Sequence, residues 1–113
     1  MNEELNKKIR AAREKVDKLV SPHGFKVRQE PSDISGDGAV AWFHIEFMNG
    51  ENQRRPFTCY VYLNELETSG ISFYTADDET ELDLPSDPEQ ACKAYRLWNS
   101  QLTFDEVLKT AAE

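Results

Sequence analysis

The hydropathy pattern of this 113-residue chain predicts a single α+β domain: an N-terminal helix, a four- or five-stranded antiparallel meander sheet, and two C-terminal helices. Three observations carry that expectation. Apolar residues recur at helical spacing near the N-terminus, alternate through the middle of the chain, and return to helical spacing after Pro88. A chain of this length has room for one core, so residues 1–113 are read as one domain.

The first helix is expected over about residues 3–20, where Leu5, Ile9, Ala12, Val16, Leu19 and Val20 form one apolar stripe. Pro22 and Gly24 stop it: proline cannot continue the hydrogen-bond ladder, and glycine permits the exit turn. Alternating segments follow at 25–30, 39–48, 56–64 and 70–76. Phe25 and Val27, then Ala41, Phe43, Ile45 and Phe47, then Phe57, Cys59, Val61 and Leu63, then Ile71 and Phe73 share one face. The N-terminal helix is expected to cover that face.

The turn between the second and third segments fixes the register. Asn49-Gly50 suggests a two-residue hairpin, but that loop would set Trp42 opposite Phe57 and mix the two faces. An odd-length loop instead pairs Phe43 with Cys59 and Ile45 with Phe57, leaving residues 49–54 largely outside the ladder.

Residues 80–84 suggest a short fifth strand. Ser86-Asp87-Pro88-Glu89 reads as a capping box opening a helix that runs to about Gln101, with Ala91, Ala94, Tyr95, Leu97 and Trp98 on its apolar side. Thr103 with Glu106, and Leu102 with Val107, signal a last helix at 104–112.

The net charge of −8 is unevenly spread. Residues 1–28 carry eight basic and four acidic side chains, a balance of +4, and the remaining 85 residues sum to −12. That field repels phosphate backbones, so a basic protein partner is expected rather than direct nucleic-acid binding. The charged first twenty residues do not read as a secretion signal, and no apolar run reaches the roughly 20 residues that span a bilayer. A cytoplasmic protein without membrane attachment is expected. Cys59 and Cys92 stand in no zinc or disulfide pattern and are expected to be reduced and packed.

Few motifs suggest chemistry. Asp33-Ile34-Ser35-Gly36-Asp37-Gly38 matches the opening of a calcium loop, but the twelfth position, which should be glutamate, is His44, so a glycine-rich turn is expected. His44 and Glu46 share a strand face, an i, i+2 spacing too common to imply acid–base catalysis. No cofactor or metal site is expected.

Two surfaces remain as candidates for partner binding. Trp42, His44 and Glu46 lie beside Thr58, Tyr60, Tyr62 and Tyr74 on the face of the sheet away from the first helix. The expected role of these rings is a second core layer under the C-terminal helices, covered by Tyr95, Leu97 and Trp98; the alternative is a protein interface. The other candidate is Asp77, Asp78, Glu79, Glu81 and Asp83. If residues 79–83 are extended, Glu79, Glu81 and Asp83 line one side at intervals of roughly 6.6 Å, and Leu82 and Leu84 point the other way. Duplex DNA carries a charge about every 1.7 Å, so imitation of a duplex needs recruits such as Glu46, Glu65, Glu67, Asp105 and Glu106.

The function these features support is non-catalytic binding of a basic protein through an acidic surface, with Asp77, Asp78, Glu79, Glu81, Asp83, Trp42, Tyr60 and Tyr62 as contact residues. Its sharpest form is an inhibitor occupying the nucleic-acid site of an enzyme or effector, by analogy of size and charge with phage anti-defence and toxin-immunity proteins. The alternative is a small-ligand or enzymatic site on the aromatic face. Oligomeric state is left open.

Overall fold

Each strand must send its apolar set to one side of the sheet, and that constraint decides where the helices can pack. The computed structural model describes residues 3–51, 53–64, 70–76 and 81–100. In chain order they form helix α1 (Glu3–Val20), a short 3-10 turn (Ser21–His23) and strands β1 (Phe25–Val27), β2 (Asp33–Ile34), β3 (Val40–Phe47), β4 (Phe57–Tyr62), β5 (Ile71–Ala76) and β6 (Glu81–Asp83). Helix α2 (Pro88–Ser100) completes the described fold. The sheet is antiparallel in the order β1-β3-β4-β5-β6, with β2 also pairing β3.

The α+β class is as expected, but the element count differs. Six strands are present among the described residues rather than four or five. The segment expected at 25–30 ends at Val27, and Asp33–Ile34, expected to belong to a turn, pairs with Trp42 and Ala41. Between β1 and β2 the ladder keeps two bonds, from the Arg28 amide to the His44 carbonyl and from the Ser32 amide to the Trp42 carbonyl. Residues 29–31 therefore bulge opposite Phe43 alone, and Pro31 among them has no amide hydrogen to donate. A bulged, proline-bearing edge resists pairing with another strand.

The odd-length register is observed, with Phe43 opposite Cys59, Trp42 opposite Tyr60 and Ile45 opposite Phe57. Gln53 makes this possible. Its side-chain amide donates to the Ile45 carbonyl and accepts from the Phe47 amide, completing the ladder of β3 beyond the start of β4. Gly50 turns the chain with φ of 77°, a left-handed conformation that glycine adopts without strain.

Two α-helices are found among the described residues where three were expected; the third, at 104–112, lies outside them. The cap of α2 is also one residue later than the capping box implied. Asp87, not Ser86, receives the Gln90 amide on its carboxylate, with Pro88 in the first helical position.

The larger correction concerns where α2 sits. Its buried side is Ala91, Cys92, Tyr95, Trp98 and Asn99. Tyr95 lies among rings of the core face: it stacks on Phe57 at 4.3 Å between centroids and meets Phe25 and Phe47 edge-on or tilted at 5.8 and 5.9 Å. Helix α2 therefore packs beside α1, which buries Ile9, Ala12, Val16 and Val20 against the same side of the sheet. It does not form a second layer over Trp42, Tyr60 and Tyr62. An apolar stripe shows that a helix must bury one side but leaves open which sheet face receives it.

Tyr95 is wholly buried and its hydroxyl donates to the Arg55 carbonyl. Tyr95→Ala removes both the ring and the bond and is expected to destabilise the protein by about 3–5 kcal/mol in urea unfolding. Tyr95→Phe keeps the ring and should lose only about 1 kcal/mol. Equal losses for the two variants would shift the weight of the site from packing to the hydroxyl.

Candidate functional site

With both helices on one side, the opposite face of the sheet is left to the outward residues of each strand. Directly opposed residues in an antiparallel pair project to the same side. Trp42 thus shares its side with Tyr60, its partner on β4, and with Asp33, its partner on β2. Thr58 pairs with Tyr74, and Tyr74 with Asp83 of β6, so the acidic strand joins the aromatic face directly. Glu81, two residues before Asp83, projects the same way, whereas Leu82 lies opposite the buried Thr75.

Three of these rings touch. Tyr60 and Tyr62 meet edge to face at 5.8 Å between centroids, and Tyr60 and Tyr74 are tilted at 6.1 Å. Tyr62 is 44% exposed, one of two large hydrophobic side chains left open to this degree among the described residues. Trp42, Tyr60, Tyr62, Tyr74 and Glu81 together line an open cleft of about 280 Å³, with Val40 at its end. Aromatic faces carry negative potential, so rings beside a carboxylate make a favourable seat for a cation. The phenol of Tyr74 feels this setting. Partial burial, then the Glu81 carboxylate, raise its pKa above the ordinary 10.0, and a hydrogen bond with Thr58 works the other way.

The remainder of the same face has the opposite charge. Lys26, Arg28, Arg54 and Arg55 line a cavity of about 550 Å³ together with His44, Glu46 and Glu51. Glu46 is taken by Arg28, whose Nε donates to its Oε1. The Glu46 carboxylate is thus paired with Arg28, just past the end of β1, rather than with His44. Arg55 lies over the Trp98 ring at 3.9 Å and donates to the Trp98 carbonyl, which ties this region to α2.

The other chemical candidates have structural roles. Ser35 donates to the Asp37 carboxylate and accepts the Ala39 and Val40 amides, so the calcium-like segment is a closed turn before β3. The Ser35 hydroxyl and the Ala39 amide, both donating to the Asp37 carboxylate, hold its carboxyl below the ordinary 3.8. No group of three potential metal ligands occurs among the described residues. Cys59 and Cys92 are buried free thiols, each pushed up to about 12 by the cost of placing a thiolate in the core. No helix among the described residues is long and apolar enough to cross a membrane.

Of the expected contact residues, Trp42, Tyr60, Tyr62 and Glu81 come together in one cleft, and Asp83 lies beside it across from Tyr74. Asp77, Asp78 and Glu79 lie outside the described residues, as do Glu65, Glu67, Asp105 and Glu106. Asp33, by sequence the head of a calcium-like turn, joins this face through β2, a two-residue strand too short to show alternation. The convergence of Arg54 and Arg55 with Lys26 and Arg28 was equally hidden, since it depends on how the loop before β4 is folded back by Gln53.

Comparison of the chain with protein-family models, with curated proteins and with solved structures gives no match. The function must be argued from the face itself.

Two measurements check this geometry. In Glu81→Gln the phenol of Tyr74 should ionise at lower pH than in the parent, because the charge that disfavours phenolate is gone; NMR titration of the Tyr74 ring reads the direction. Iodoacetamide should leave Cys59 and Cys92 unmodified in the native protein and alkylate both across the urea transition. Rapid labelling without denaturant would contradict their burial.

Proposed function

We propose that the protein is a non-catalytic binding protein that receives a basic protein partner on the open face of its sheet. The observation that carries this reading is the cleft in which Trp42, Tyr60, Tyr62 and Tyr74 adjoin Glu81. Asp83 at one side and Asp33 at the other extend the negative rim, each by strand pairing with a ring-bearing residue. The partner's arginine or lysine side chain enters the cleft, where the rings supply cation–π attraction of about 0.5–2 kcal/mol per contact and the rim carboxylates supply longer-range steering.

Tyr and Trp suit such a role because they offer large, stiff contact area at low entropic cost. The excess of acid beyond residue 28 favours approach of a basic partner over the whole surface. A protein whose basic surface normally holds nucleic acid is the natural target, and occupancy of that surface would inhibit it. The contact set is then Trp42, Tyr60, Tyr62, Tyr74, Glu81 and Asp83, with Asp77, Asp78 and Glu79 next to it in sequence.

The test uses an arginine-rich peptide and the indole resonance of Trp42. Saturable shifts are expected, weakening as salt rises through the range where the Debye length contracts from about 10 Å to about 3 Å. Glu81→Lys combined with Asp83→Lys should weaken binding about tenfold or more, because attraction becomes repulsion at the rim. Tyr62→Ala should weaken it with little loss of stability, since that ring lies outside the core and is 44% exposed. Peptide binding that ignores all three substitutions would refute this face as the docking site.

A further inference from the structure

We infer that the cavity lined by Lys26, Arg28, Arg54 and Arg55 is a binding site for a small organic oxyanion, a phosphate or polycarboxylate group on a compact body. It lies on the same side of the sheet as the aromatic cleft but shares no lining residue with it, so it does not rest on the reading above.

Four cationic side chains line this cavity against two carboxylates, in a protein whose net charge is −8. Both carboxylates are engaged: Glu46 accepts from Arg28, while Glu51 accepts from the Asn49 side chain and lies 3.8 Å from Arg96. Lys26 and Arg54 form no ion pair or side-chain hydrogen bond among the described residues. A concave surface with two uncompensated cations concentrates anions, and does so most effectively where the rest of the protein repels them.

The Arg54 amide donates to the Asn99 side chain, which is buried in α2, so the base of this side chain is held against the fold. Lys26 is set on β1 by its pairing with Glu46 on β3. Arg55 is held over Trp98. The backbones that carry these cations are fixed by strand, loop and helix contacts, so binding has only their side-chain rotamers to order.

A volume of about 550 Å³ exceeds what one inorganic oxyanion fills and falls within the roughly 300–1,000 Å³ of small-molecule sites. Pro56 contributes an exposed apolar surface beside the cations, while the core residues Ile45 and Phe57 reach the cavity through the sheet backbone. Guanidinium forks match the paired oxygens of phosphate and carboxylate, and the apolar surface takes the carbon body.

The experiment titrates the intact protein with pyrophosphate and, separately, with citrate at constant ionic strength, following backbone amides by NMR. Saturable shifts centred on Lys26, His44 and Arg54 are expected. Tighter pyrophosphate binding identifies a phosphate ligand, and tighter citrate binding a polycarboxylate. Lys26→Ala with Arg54→Ala should weaken the preferred anion about tenfold or more. Lys7→Ala with Lys18→Ala, which removes the same charge from exposed positions on α1, should leave it unchanged. Equal weakening in both double variants, or shifts spread evenly over the surface without saturation, would overturn the site. Both variants change exposed side chains, and an unaltered amide spectrum away from the substitutions confirms that each is folded.

Discussion

The packing of Tyr95 into the phenylalanine cluster of the sheet is the contact on which the rest of the molecule depends. Phe25, Phe47 and Phe57 come from three different strands, and their rings lie 4.9 and 5.2 Å apart around Phe25. Tyr95 closes the cluster from α2, and its hydroxyl reaches the loop before β4 through the Arg55 carbonyl. Aromatic pairs of this kind contribute about 0.5–1.5 kcal/mol each beyond the area they bury. By drawing α2 to the side already occupied by α1, Tyr95 leaves Trp42, Tyr60, Tyr62 and Tyr74 without a helical cover among the described residues.

The same contact organises the loop between β3 and β4. Tyr95, Trp98 and Asn99 each hold a part of residues 54–55, through a hydroxyl, a ring and carbonyl, and a side-chain amide. Gln53 meanwhile saturates the backbone of β3 in place of a neighbouring strand. A loop that would otherwise expose strand groups is thereby pinned, and it delivers two arginines to the end of the sheet. The open face acquires two characters: rings with carboxylates around β4, β5 and β6, and cations around β1 and the loop.

Much of this was legible in the sequence. The alternation of Ala41, Phe43, Ile45 and Phe47 with Trp42, His44 and Glu46 assigned the two faces correctly, and face matching alone rejected the two-residue hairpin at Asn49-Gly50. Leu82 identified the inward side of β6 and hence the outward side of Glu81 and Asp83. The first helix covers the expected face, but the placement of the second does not follow from its stripe. The cap of α2 slipped by one residue because Ser86 and Asp87 are both good caps, and only the chain's entry angle chooses between them. The bulge at 29–31 hid β2, because the extra residues break the alternation that would have revealed it.

The sequence by itself determined α1, α2, the longer strands, the register of β3 with β4, and which side chains share a face. These follow from local geometry: a strand alternates with period two, a helix repeats near 3.6, and mismatched faces cost burial at every pair. Only the tertiary structure decided that α1 and α2 lie on the same side, that the acids of β6 meet the tyrosines of β4 and β5, and that four cations gather at the opposite end. Those outcomes depend on contacts between residues up to about 70 positions apart, such as the Arg96 guanidinium on the His23 carbonyl. Periodicity carries no information about such pairs, because the free energy that selects them arises only when whole faces pack.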